Sequence, residues 1–188
     1  MRKGNLFVVS GPSGAGKGTL MARLREQVPD VWVSVSATTR DPRPGEQEGV
    51  SYFYLSDERF DELVAQDGFL EWAHVHGNRY GTLKETVLSA MAEGKQVILE
   101  IDVQGAFQVR EKIPEAILVF IAPPSLEELR RRLEGRGTEP QDVIERRMAT
   151  AEVELSRKEE YDVTFVNDDL DVATRQLVNY VNAKAEIE

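Results

Sequence analysis

The stretch Gly11-Pro12-Ser13-Gly14-Ala15-Gly16-Lys17-Gly18-Thr19 has residue types and spacing that point to phosphate chemistry. A phosphate chain needs several converging backbone N–H donors. Glycine permits this by removing side-chain bulk and tolerating positive φ. The stretch follows the apolar run Leu6-Phe7-Val8-Val9 and opens a segment of helical period. The positive end of a helix dipole and the Lys17 ammonium would then meet the outer phosphates. Gly18 displaces the hydroxyl expected directly after the lysine to Thr19. A divalent ion arriving with phosphates would therefore be held mainly through water and phosphate oxygens, with Thr19 as a candidate direct ligand.

A second group lies in Ser36-Ala37-Thr38-Thr39-Arg40-Asp41-Pro42-Arg43, followed by Glu46, Gly49, Tyr52 and Tyr54. Two arginines three apart in a proline-stiffened loop match the bidentate geometry of a monophosphate, and tyrosine can add a donor. The same residues would equally serve as a solvated loop over aromatic core side chains. Glu71 sits in the strand-like run Phe69 to Val75, where an isolated glutamate ordinarily faces solvent. In a nucleotide cleft its carboxylate could instead accept the N1–H and N2–H of guanine, a pair of donors that adenine lacks. Ser36 and Thr82 could serve the remaining edge. His74 and His76 share a strand parity, but no third ligand accompanies them, so they read as exposed strand residues.

These groups need elements to position them. Val31 to Val35, Val97 to Ile101, Ala116 to Ile121 and Val163 to Val166 are short, nearly continuous apolar runs, as is Leu6 to Val9. Between them lie helix-period segments near 20–28, 83–92, 103–112 and 170–181, which predicts a parallel sheet covered on both faces. Ser125 to Glu128 has capping-box spacing, and Thr138 to Gln141 repeats the signal with Pro140 at a tolerated first-turn position. Residues 34–82 break the rhythm. There Val50 to Leu55 and Phe69 to Val75 alternate apolar with polar, which predicts a small mixed sheet inserted in the α/β core.

The chain has 188 residues, 41% hydrophobic and 30% charged, with no cysteine. That composition is globular, and it excludes a disulfide scaffold, a cysteine nucleophile and a thiolate metal site. No apolar run can span a bilayer and the N-terminus lacks a signal-peptide pattern, so a cytoplasmic protein is expected. The net charge of −10 argues against nucleic acid or a membrane surface as partner. The charge is segregated, however. Residues 1–43 carry +4, 44–80 carry −6, 127–151 are neutral with six arginines, and 152–188 carry −6.

Taken in order, these motifs resemble those of the guanylate kinases. The resemblance rests on Gly11 to Thr19, Thr38-Thr39-Arg40 with Arg43, Glu46, Gly49, Tyr52 and Tyr54, and Phe69-Leu70-Glu71-Trp72-Ala73. It continues through Tyr80-Gly81-Thr82, Glu100 to Gly105, Ile121 to Ser125, Arg132 to Thr138 and Val166 to Leu170, covering roughly residues 4–182. It implies a P-loop NTPase three-layer fold with a five-stranded parallel core, a GMP-binding insert at 34–83 and a helical lid at 125–155. The core would comprise 1–33, 84–124 and 156–188.

The implied activity is phosphoryl transfer from ATP to GMP with Mg²⁺, with dGMP as a further expected acceptor. Gly11, Pro12, Ser13, Gly14, Ala15, Gly16, Lys17, Gly18 and Thr19 would hold ATP, and Asn167 would lie near adenine. By the same resemblance Ser36, Arg40, Arg43, Tyr52 and Tyr80 would hold the GMP phosphate. Glu71, Thr82 and Asp102 would read guanine. Lys17 with Arg132, Arg136 and Arg147 would be catalytic. Arg130, Arg131 and Arg132 are consecutive and cannot share one helix face, so at least one is a surface residue.

Three rivals are weighed against this reading. A kinase for another nucleoside monophosphate is disfavoured by Glu71. A non-catalytic module that binds partner peptides is disfavoured by the retained Lys17. A regulatory GTPase lacks a downstream base-specificity motif. The oligomeric state, monomer or homo-oligomer, is left open. Replacing Lys17 with alanine should lower kcat by about 10³-fold while GMP affinity stays nearly intact, measured by steady-state kinetics and GMP titration.

Overall fold

A computed structural model describes residues 2–135, 137 and 140–186. The chain opens with β1 (Asn5–Ser10), α1 (Lys17–Gln27) and β2 (Val31–Val33). It then runs through β3 (Ala37–Thr38), β4 (Phe53–Tyr54), α2 (Asp57–Ala65), β5 (Phe69–Val75) and β6 (Asn78–Leu83). Next come α3 (Lys84–Ala92), β7 (Gln96–Glu100), α4 (Val103–Lys112) and β8 (Ile117–Ala122). The last elements are α5 (Leu126–Glu134), α6 (Gln141–Ser156), β9 (Val163–Val166) and α7 (Leu170–Ala185).

Five strands form one parallel sheet in the order β2-β7-β1-β8-β9, as the apolar runs predict. Successive side chains of a strand point to opposite faces, so a strand covered on both sides must be apolar throughout. Phe7, Val9, Ile98, Val119 and Ile121 pack with Leu20 and Leu24 of α1 and with Ala173, Leu177 and Val181 of α7. Leu6, Val8, Val97, Leu99, Leu118 and Phe120 pack on the other face against Val87 of α3 and Val103, Ala106 and Val109 of α4. The loop after β1 therefore emerges at the carboxyl edge of the sheet between β7 and β8, where ligands of open α/β sheets bind.

The second sheet has the order β4-β3-β6-β5, with β3–β4 parallel and the other pairings antiparallel, which is the mixed insert expected for this region. Its core is small. Ala37, Phe60 and Phe69 are fully buried, the two rings stack at 4.4 Å, and the Arg79 guanidinium lies 4.5 Å from the Phe60 ring centre. Helix α4 ties this sheet to the main one: Lys112 Nζ donates to Phe69 O at 2.6 Å, and the Trp72 N–H donates to Gln108 Oε1 at 3.3 Å.

Some local readings need correction. The alternating run at 50–55 is a strand only at Phe53–Tyr54, because the Gly49 N–H bonds to Tyr52 O and turns the chain, leaving Val50 exposed. Helix α2, which is not among the elements expected from the sequence, lies inside the insert. Its signals are Ser56, whose hydroxyl accepts the Arg59 N–H, and buried Phe60. His76 is not in a strand. It has φ 50° and precedes Gly77 at φ 81°, forming the two-residue turn between β5 and β6. Pro140 caps α6 from outside, its carbonyl accepting the Val143 and Ile144 N–H groups, whereas Thr138 and Glu139 lie outside the described residues. Ser125 caps α5 as expected, accepting the Glu128 N–H at 3.0 Å.

Because the insert has so small a core, Phe60→Ala should cost about 3–5 kcal/mol there. Hydrogen exchange is expected to speed up across 37–83 while β1, β7 and β8 stay protected.

Candidate active site

Helix α1 begins with Gly16 in the left-handed region at φ 91°, and no side chain caps it. The first N–H groups of a helix have no partner within it, so the turn Gly11–Lys17 presents unpaired donors and a positive dipole end to the solvent. A Cβ at Gly11 would stand 2.1 Å from Ile121 O, and one at Gly16 would stand 2.3 Å from Asn167 Nδ2. The loop is thus closed in by β8 and by the segment after β9. Asn167 is buried, and its Nδ2 donates to Ala15 O at 2.8 Å while its own N–H bonds to Ala122 O. The side chain expected near adenine therefore also holds the phosphate loop in shape.

Lys17 folds back along the loop, donating to Gly11 O and, at 3.2 Å, to Pro12 O. Burial pushes its ammonium below the ordinary lysine range, while Glu100 and Glu154 act in the opposite direction. Neither glutamate was singled out from the sequence. Glu100 ends the apolar strand β7 at the sheet's carboxyl edge, and that position is the signal that could have found it. Glu154 comes from α6, where nothing in the local sequence separates it from its neighbours. Burial raises its pKa, Lys17 opposes this, and Asp102 adds to it. Thr19 is exposed in the first turn of α1.

Of the proposed catalytic arginines, Arg132 donates from Nε to Glu128 Oε1 at 2.8 Å and from Nη2 to Asn167 O at 2.9 Å. Arg147 reaches across from α6 to Ser13 Oγ at 2.6 Å. Both are brought to the phosphate loop. Arg136 lies outside the described residues. Arg131 pairs with Glu128 at 76% side-chain exposure, and Arg130 pairs with Glu145, so these two are the surface members of the triplet.

A cleft of about 520 Å³ separates the two sheets, with Ser36, Tyr52, Thr82, Glu100 and Ile101 among its lining residues. Register pairing in the small sheet sets Glu71 opposite Thr82, whose hydroxyl donates to Glu71 Oε1 at 2.7 Å. Burial pushes the Glu71 carboxyl up, Thr82 opposes this, and Asp102 adds to it. Asp102 caps α4, its Oδ1 accepting the Gly105 N–H at 2.7 Å. Close by, Arg40 pairs with Glu46 at 2.8 Å and lies 5.3 Å from the Tyr52 ring centre, with Tyr80 edge-on to Tyr52 at 5.8 Å. The Arg43 guanidinium is exposed and has no hydrogen-bond or ion-pair partner among the described residues. The cleft shares Glu100 with the surroundings of Lys17, so the two halves of the site face one another across the end of β7.

No group of three or more acidic or histidine side chains converges as a metal cage among the described residues. The Thr19 hydroxyl, exposed in the first turn of α1, could join an ion that arrives on phosphate oxygens and keeps most of its water. No helix among the described residues is long and apolar enough to cross a membrane.

Comparison with known proteins points to one family. The family described as guanylate kinase matches residues 3–184. A guanylate kinase of Streptomyces coelicolor is 58% identical over 177 residues, covering 94% of this chain and 90% of that protein. One from Synechococcus sp. is 54% identical over 175 residues, covering 93% and 92%. The crystal structure of guanylate kinase from Anaplasma phagocytophilum superposes with a TM-score of 0.74 at 33% identity, covering 98% of this chain and 87% of that one.

Asn167→Ala should leave the Ala15 carbonyl without its partner, lowering stability by about 1–3 kcal/mol in denaturant titration. A nucleoside triphosphate should bind at least about tenfold more weakly in calorimetry, because the loop loses its fixed shape.

Proposed function

The chain belongs to the guanylate kinase family and catalyses ATP-dependent phosphorylation of GMP, and we propose that its two facing half-sites divide that reaction between them. The N–H groups and lysine of the loop Gly11–Thr19 bind the phosphates of ATP, with Asn167 beside the adenine. Ser36, Arg40, Arg43, Tyr52 and Tyr80 hold the phosphate of GMP, and Glu71, Thr82 and Asp102 read its base. The single observation that carries the base assignment is the Thr82–Glu71 hydrogen bond of 2.7 Å. It occupies one oxygen of a half-buried carboxylate beside the cleft-lining Thr82 and leaves further acceptor capacity on that carboxylate.

Phosphoryl transfer needs in-line placement, neutralised oxygens and exclusion of water more than covalent help. The acceptor is the GMP phosphate, which is already ionised, so no general base has to remove a proton. Lys17 neutralises the oxygens of the transferring group from the loop side. Arg132, Arg136 and Arg147 do so from the segment 125–155, which acts as a lid. The Arg147–Ser13 contact of 2.6 Å supports this division, because it bridges that segment to the loop. The insert 34–83 carries the acceptor, and the remaining segments form the core. Mg²⁺ arriving with ATP would supply further neutralisation of the phosphate oxygens, with Thr19 the residue that could hold it. Closure of insert and lid removes water that would otherwise hydrolyse ATP.

The test is ADP formation from ATP with GMP, dGMP, AMP, CMP or UMP as acceptor. GMP and dGMP should be used, with the others slower by at least about 100-fold. For Glu71→Gln, kcat/KM for GMP should fall about 10- to 100-fold with AMP turnover little changed. Equal use of AMP by the unaltered enzyme, or an unchanged GMP/AMP ratio in the variant, would overturn the role given to Glu71.

A further inference from the structure

We propose that Glu46 is the positioning residue of the acceptor-phosphate clamp, fixing Arg40 so that its guanidinium meets the GMP phosphate already oriented. The inference rests on the assignment of this cleft to GMP. Arg40 Nη2 donates to Glu46 Oε1 at 2.8 Å and to Oε2 at 3.0 Å. Glu46 Oε2 also accepts the backbone N–H of Arg43 at 2.8 Å and the hydroxyl of Tyr54 at 2.8 Å. One carboxylate thus gathers the side chain of one clamp arginine, the backbone of the other, and a tyrosine from β4. The other terminal nitrogen of Arg40 donates to Asp41 O at 2.7 Å, and the Tyr52 ring lies against the guanidinium. The ion pair is 12% and 22% exposed at its two side chains, so it is desolvated well beyond an ordinary surface pair.

Charge alone would not place a carboxylate here, because it repels the incoming phosphate. Its presence makes sense if orientation outweighs that repulsion. A long arginine held in one rotamer loses little further freedom when it binds, and preorganisation of this kind converts directly into affinity. The same negative charge weakens the clamp for a phosphate that arrives without a base, which favours ligands engaging Glu71 as well. Its Arg40, Arg43 and Tyr54 hydrogen bonds hold the Glu46 carboxyl down at about 2, so it is ionised throughout the working range.

The experiment compares calorimetric binding of GMP and of guanosine, which has the base and sugar without the phosphate. The proteins are the full-length unaltered chain, Glu46→Gln and Tyr54→Phe. Glu46→Gln should bind GMP about 10- to 30-fold more weakly while guanosine affinity changes less than about twofold. Tyr54→Phe, which leaves the Arg40–Glu46 pair in place, should lose only about two- to fourfold in GMP affinity. KM for ATP should stay unchanged in both variants. Unchanged or tighter GMP binding by Glu46→Gln would overturn the proposal, because charge would then outweigh orientation. Equal losses for GMP and guanosine would also overturn it, because Glu46 would then only support the fold of the insert. Failure of the unaltered protein to bind GMP would instead overturn the substrate reading beneath it.

Discussion

The turn after β1 must present several unpaired N–H groups to one anion, and it has room to do so only without side chains at particular places. A Cβ at Gly11 would stand 2.1 Å from the Ile121 carbonyl, and one at Gly16 would stand 2.3 Å from the Asn167 amide. The loop is therefore pressed against the ends of β8 and β9, which lie in that order on one flank of β1. Strands aligned so that their carboxyl ends meet the loop make a parallel sheet, which in turn needs two helical layers to cover both faces. The remainder of the architecture follows from building and closing that cradle.

Around the cradle the protein collects charge locally. Arg132, Arg147 and Lys17 come from α5, α6 and α1, and each is tethered to loop backbone or to a residue that touches it. Glu100 and Glu154 oppose the downward push that burial exerts on the Lys17 ammonium. The overall charge of −10 says nothing about this, because a few convergent donors outweigh distant surface carboxylates once water is displaced. In the insert the acidic excess of 44–80 includes two carboxylates with specific partners, Glu46 on Arg40 and Glu71 on Thr82.

The main sheet was readable because burial on both faces forces continuous apolar runs, and all five strands were visible as such. The insert was less so. Its alternation at 69–75 marked β5, but α2 hid among acidic residues, since only Phe60 of its face is fully buried. A turn at Gly49 cut the run at 50–55 down to two strand residues. Asn167, Arg132 and Arg147 could be named from the resemblance, but their tethers to Ala15, Asn167 and Ser13 could not, because these join residues 152, 35 and 134 positions apart.

By itself the sequence determined the phosphate loop, the parallel α/β core, the inserted mixed sheet and the residue types available for two phosphates and one base. Those depend on local spacing and on the period of apolar residues, which are properties of the chain read in order. Only the tertiary structure decided which carboxylates face Lys17, which of three consecutive arginines turns inward, and that Glu46 rather than solvent pairs with Arg40. The first two are contacts between segments that meet only when the sheets and helices pack, and the third depends on how the loop between β3 and β4 folds against Tyr54. Their energies depend on distance and on excluded water, and neither quantity is written in sequence order.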